Sequence, residues 1–463
     1  MQKRPPIIAV LGHIDHGKTT LLDYVRKTNL AAREAGGITQ SIGAYEIEHH
    51  GTPMTFIDTP GHEAFSVMRA RGARVADIAV LVVAADDGVK PQTEDALRHI
   101  QAAGIPYIVA VNKVDLATAN VEKTKQDLMK IGVYLEGMGG NVSYQLISAK
   151  RGDGIAELLD LIALAAEVEE LSADPKKPAE GVVLTSVSDP RRGVVMGVVV
   201  KDGTLQKGDA LYTPSASGKV RMMWGSDGKI TAAAGPGQPA LVFGMSSLPQ
   251  AGESWSTIEA PLAVEKEEGE QLLPPRKDAV NVILKAGEAG SLEALESFVR
   301  KIGKEDISVL AARVGDIYES DVKDATTSHA IIVGFSVKTD RGALNLADAR
   351  HVTVLEAPII YKLGDLLEEY LATLRRKEER VVIVKAIFGT KDGKQIVGGD
   401  VKGFVRNQEA FTIMDGEREI GSGKIVNLQS ERKDMEEVQE GKEAGLMADT
   451  KELIKVGHRL VFA

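Results

Sequence analysis

The sequence contains no cysteine. Disulfides, thiolate zinc sites and thiol nucleophiles are excluded together, so any bound metal must be held by oxygen or histidine, and a reducing compartment fits. Long apolar runs are also missing. The longest, 78–85, reads as a buried strand and falls far short of the ~20 residues needed to cross a bilayer. Behind Lys3, Arg4, Pro5 and Pro6, the apolar stretch 7–11 is too short for a signal-peptide core. A cytoplasmic protein with no membrane partner is expected. Nor is there an excess of positive charge: 56 Lys and Arg stand against 66 Asp and Glu, for a net charge of −10. The basic field that drives nonspecific nucleic-acid binding is absent, and RNA contact would rest on local patches.

What is present is a folded, multidomain composition, with 43% hydrophobic and 26% charged residues over 463 positions. Apolar runs at 7–11, 54–57, 78–84 and 107–111 alternate with helix-period segments at 18–27, 93–103, 121–131 and 155–171. That alternation predicts a doubly wound, mostly parallel sheet spanning 1–173. After the linker Asp174-Pro175-Lys176-Lys177-Pro178, short strands cut by glycine turns predict a β-barrel at 179–262, closed by the charged run 265–270. Residues 277–357 read as a small α/β/α domain, 358–380 as a long connecting helix, and 381–463 as a second β-barrel. Gly237, Ala240 and Gly252 find counterparts in Gly441, Ala444 and Gly457, which suggests that the two barrels are related.

The string Gly12-His13-Ile14-Asp15-His16-Gly17-Lys18-Thr19, continued by Thr20, is a P-loop between a strand and a helix. Its amides and the helix start face an anion, Lys18 supplies a point charge to the β- and γ-phosphates, and Thr19 is the expected Mg²⁺ ligand. In Asp58-Thr59-Pro60-Gly61-His62, Asp58 is placed to help hold Mg²⁺. Gly61 is placed to bring its N–H to the γ-phosphate, and His62 to orient the attacking water. Asn112-Lys113-Val114-Asp115 selects the base, because a carboxylate accepts both N1–H and the 2-amino group of guanine and adenine offers neither. Asn112 fastens that loop and the Lys113 stem lies along the ring. Ser148-Ala149-Lys150 completes the pocket, with the Ala149 amide directed at guanine O6. In Gly36-Gly37-Ile38-Thr39, Thr39 is a switch candidate that closes on Mg²⁺ and the γ-phosphate. GTP, GDP and Mg²⁺ are the expected ligands.

Together these motifs resemble those of the translational GTPases, and within them the bacterial initiation factor 2 family. Further likeness lies in Lys285-Ala286, in Gly290-Ser291-Leu292-Glu293-Ala294-Leu295, and in Val314-Gly315-Asp316-Ile317 with Glu319-Ser320-Asp321-Val322. The resemblance implies ribosome-triggered hydrolysis with His62 as catalytic histidine, flanked by Ile14 and Ile38 as an apolar gate. It implies binding to both ribosomal subunits and promotion of their joining, placement of formylmethionyl initiator tRNA by the terminal barrel, and a monomeric chain. The stretch 396–407 is shorter than that family's hairpin, and Asp400 stands near the position of a common cysteine. Two other readings fit the motifs: a GTP-dependent ribosome- or tRNA-binding module with little hydrolysis, and a specialised aminoacyl-tRNA carrier. The α/β segment after the first barrel speaks against a carrier, since those factors continue with another barrel.

Overall fold

The first third of the chain folds as a six-stranded sheet in the order Gly43–His49, Thr52–Asp58, Ile7–Gly12, Ile78–Ala84, Tyr107–Asn112, Tyr144–Leu146. Five strands run parallel and the edge strand Gly43–His49 is antiparallel. Strand Ile78–Ala84 is buried along its whole length, as expected for a parallel strand covered on both faces. One face packs against helices Lys18–Arg26 and Ile155–Val168 through Leu21, Leu22, Leu158 and Ile162. The other is covered by Ser66–Val75, Pro91–Ala103 and Val121–Lys130 through Ala73, Leu97, Ile100 and Leu128.

The computed structural model describes residues 1–26, 43–61, 63–189, 191–259, 274–276, 279–304, 306–378, 380–416, 418–431 and 433–462. It forms two units, Met1–Gly364 and Asp365–Ala463. Ile38, Thr39 and the rest of the switch candidate, His62, and the charged run 265–270 lie outside the described residues.

Within the first unit, six strands between Glu180 and Ser256 close into a ring around Met196, Val198, Val242 and Trp255. A four-stranded parallel sheet follows, in the order Ile307–Val314, Val280–Ala286, Ala330–Phe335, Val354–Ala357. Helices Ala289–Gly303, Glu319–Ser328 and Arg341–Arg350 accompany it. Helix Ser66–Val75 meets this layer through Arg71, whose Nη2 lies 2.8 Å from Glu293 Oε2, and Phe65 just before it lies 6.2 Å from Phe335, centroid to centroid. Helix Ile360–Glu378 has 19 residues.

The second unit holds another barrel, and its strand order repeats the first strand for strand, down to an accompanying two-stranded ribbon. The glycine correspondences extend to hydrogen bonds. Gly237 N–H donates to Val200 O and Gly441 N–H to Val401 O, while Gly252 N–H donates to Val183 O and Gly457 N–H to Val384 O. Ala240 and Ala444 are both buried one strand along. The faint sequence echo is thus a repeated topology.

Asp77 ties the sheet to the first barrel. It accepts from Arg4 at 2.6 and 2.7 Å and from the Ile7 amide at 2.8 Å, and Lys201 Nζ, which also donates to the Val75 carbonyl, approaches at 3.3 Å. Burial alone would raise the Asp77 carboxyl, but the Arg4 hydrogen bonds and the Lys201 charge together hold it below the ordinary carboxylate value. Burial pulls Lys201 down in spite of Asp77, so the carboxylate's stabilisation comes chiefly from Arg4. Asp77→Ala, which leaves two partly buried cations without their counter-charge, should cost ~1–3 kcal/mol, read as a lower urea midpoint. Because the folded-state value is depressed, this contribution is complete at neutral pH. In the wild type it should fade as pH falls below ~4.

Candidate nucleotide-binding site

Four loops gather at the carboxyl ends of the parallel strands, where ligands of open α/β sheets bind. The first, between strand Ile7–Gly12 and helix Lys18–Arg26, carries Gly12, Asp15 and Gly17 at φ of 145°, 59° and 90°. A Cβ at Gly17 would sit 2.3 Å from Asn112 Nδ2, so only glycine lets the loop approach the base-selecting segment. Asp15 and Thr20 are exposed, His16 and Lys18 are buried, and Ile14 N–H donates to Gln92 Oε1 at 3.3 Å.

Lys18 Nζ donates to the His13 carbonyl at 2.6 Å. Burial pulls its ammonium down to about 8, against the raising influence of Asp58. His16 is pushed down to about 4 by burial and by His13, whose ring packs edge-on against it at 4.8 Å, so His16 is neutral at pH 7. Asp58 ends the strand Thr52–Asp58 and is registered against Val10, two residues before Gly12. A Cβ at Gly61 would fall 2.2 Å from Lys18 Nζ and 3.1 Å from Ile14 N. The second loop therefore lies directly on the first. The Thr19 hydroxyl and the Asp58 carboxylate supply hard oxygen donors beside this junction, a set suited to Mg²⁺.

Asn112, almost fully buried, links three loops. Its Nδ2 donates to His16 O at 2.8 Å and its Oδ1 accepts the Ala149 amide at 2.9 Å. The Ala149 N–H, expected to point at guanine O6, is thus spent on Asn112. Asp115 Oδ1 accepts from Ser148 Oγ at 2.7 Å, and this bond first, aided by the charges of Arg151 and Lys150, holds the carboxylate below its ordinary value. Lys113, at φ 62°, places Nζ 3.7 Å from Asp86 Oδ1, and Lys150 is exposed. Of the expected site residues, those from Gly12 to Thr20, Asp58, Gly61, Asn112, Lys113, Asp115 and Ser148 to Lys150 are brought together.

Supporting residues escape the motif reading. Arg69 is fully buried; its Nη2 lies 2.6 Å from Asp95 Oδ2 and its Nη1 donates to the Pro60 carbonyl at 3.2 Å, fastening the second loop to helix Pro91–Ala103. Thr59 Oγ1 donates to Val10 O at 2.8 Å. The available signal is an arginine on the same helix face as the buried Gly72 and Ala73.

Replacing Asp115 with Asn should weaken GTP binding by roughly 100-fold or more and lower the preference for GTP over ATP, read by competitive nucleotide titration. Phosphate binding favours charged Lys18. With a free-state value of about 8, GTP affinity should fall ~10-fold from pH 7 to pH 9, with proton uptake on binding measurable by calorimetry in buffers of different ionisation heat.

Residues 3–167 match the model of the elongation factor Tu GTP-binding domain, 178–257 that of elongation factor G domain 2, and 263–368 that of translation-initiation factor 2. The chain is 39% identical to a translation initiation factor IF-2 of Rubrobacter xylanophilus, across 99% of this chain and 71% of that protein. It is 40% identical to one from Thermoanaerobacter sp., across 99% and 70%. Among solved structures, GDP-bound aIF5B from Aeropyrum pernix is 26% identical with a TM-score of 0.50, covering 99% of this chain and 92% of that one. A guanine-nucleotide fold, a matching first barrel and relatedness over nearly the whole length converge on one conclusion: the chain belongs to the translation initiation factor 2 family, GTP-dependent initiation factors with GTPase activity.

Proposed function

We propose that this chain is a cytoplasmic, monomeric factor that binds the ribosome in its GTP form, promotes subunit joining, places formylmethionyl initiator tRNA through the barrel at 381–463, and hydrolyses GTP on the ribosome. The observation that carries this reading is the seating of Gly61 on Lys18 and Ile14, with no room there for a side chain; in this reading its backbone N–H meets the γ-phosphate at the P-loop. Loss of that phosphate removes the contact that orders the loop. Asp115 selects guanine, Asn112 fastens its pocket, and Ser148, Ala149 and Lys150 border it. Residues from Gly12 to Thr20 cradle the phosphates. Thr19, Thr39 and Asp58 would hold Mg²⁺, which neutralises developing phosphate charge.

In this reading His62 orients and polarises the attacking water, between Ile14 and Ile38 as an apolar gate, and ribosome docking brings it into place. The segments act as units at 1–173, 179–262, 277–357, 358–380 and 381–463. Phosphate release with and without ribosomes tests the proposal. Wild-type turnover should rise strongly with ribosomes, and His62→Ala should bind GTP normally while losing ~10²–10⁴-fold of stimulated turnover. Undiminished turnover in the variant would reject the role of His62. No stimulation of the wild type would reject ribosome-triggered hydrolysis.

A further inference from the structure

Away from the phosphate loops, strands Gly43–His49 and Thr52–Asp58 are joined by a two-residue turn, His50-Gly51, with φ of 49° and 77°. Both central residues are left-handed, the geometry of a type I′ hairpin, whose first position favours Asn, Asp or Gly. A histidine there is a costly choice. Successive side chains of a strand point to opposite faces, but the left-handed turn swings the His50 ring back beside His49, with centroids 4.2 Å apart. Both rings then converge on Asp160 of helix Ile155–Val168. His49 Nε2 lies 2.7 Å and His50 Nε2 3.8 Å from Asp160 Oδ1, and one ligand atom from each of the three side chains lies within 4.8 Å of the others. His49 is largely covered, with 12% of its side chain exposed, while His50 and Asp160 are open to solvent at 77% and 59%.

We propose that His49, His50 and Asp160 form a surface site for a divalent transition-metal ion of the zinc class, clamping the edge hairpin to helix Ile155–Val168. Two imidazoles and one carboxylate form an open three-ligand set that leaves a fourth position to water. Imidazole donors select zinc, cobalt, nickel or copper over magnesium. The metal takes the place of the proton between His49 and Asp160. Bonds of ~2.0–2.2 Å require the donor atoms to close by modest side-chain rotation, which the exposed His50 and Asp160 permit. The clamp joins segments that share a core, since Tyr45 belongs to the same cluster as Leu159 and Ile162, and Ile47 packs against it. With no cysteine in the chain, thiolates do not compete for the ion.

The full chain, loaded with GDP in excess Mg²⁺, is titrated with Zn²⁺ by calorimetry and with Co²⁺ by visible absorption. A saturable site is expected, with a rise in Tm on adding Zn²⁺. His50→Asn retains a residue at home in the left-handed turn, and unchanged GDP affinity would report an intact nucleotide domain. That variant, and Asp160→Asn, should each weaken metal binding by roughly tenfold or more and lose the Tm rise. His13, His16 and Asp87 form the other such grouping among the described residues, and neither substitution touches it. A wild type that takes up no metal, or variants that bind it as tightly as the wild type, would overturn the proposal.

Discussion

The side-chain amide of Asn112 is the interaction on which the nucleotide site depends. One buried group donates to the P-loop at His16 and accepts from Ala149, so loops drawn from three strands become one surface. Gly17 exists in that context, because a methyl group there would meet the same amide. An unsatisfied amide at this depth would cost more than the two bonds contribute, so the arrangement is strongly preferred over a loosened one. Asp115 and Ser148, three residues beyond and one residue before the two ends of this bridge, receive their mutual placement from it.

From Gly61 the chain runs through Phe65 into helix Ser66–Val75, where Arg69 turns inward to Asp95 and Arg71 reaches Glu293. The loop that lies on Lys18 is thus mechanically continuous with the α/β layer that follows the barrel. Asp77, just past the same helix, anchors the amino-terminal strand and Lys201 of the barrel. A short segment around this helix carries several of the polar ties among three layers of the first unit.

Much of the fold class is legible in the sequence because buried parallel strands read as unbroken apolar runs; the expected strand 78–84 coincides at both ends with Ile78–Ala84. The edge strand Gly43–His49 is not, since Glu46 and Glu48 interrupt Tyr45 and Ile47 and half its surface faces water. Helices Glu319–Ser328 and Arg341–Arg350 bury little beyond Val322, Ala325, Ala343 and Ala347, too sparse a stripe to announce itself. For the site, residue types and order identify which loops meet. They do not reveal that Asn112 consumes the Ala149 amide or that Arg69 supports Pro60, because such pairings are made between distant segments.

The repeated barrel topology has a consequence for biogenesis. Equivalent positions such as Val183 and Val384 stand about 200 residues apart, so every strand of one ring has a topological double in the other. Strand exchange between such doubles is a characteristic misassembly of repeated architectures. At ~5–20 residues per second of synthesis, the earlier ring leaves the ribosome roughly 10–40 s ahead of the later one, whereas small β-barrels form in milliseconds to seconds. On those rates, temporal separation during translation would keep each ring from recruiting its counterpart's strands, a safeguard that denaturation and refolding of the finished chain would remove.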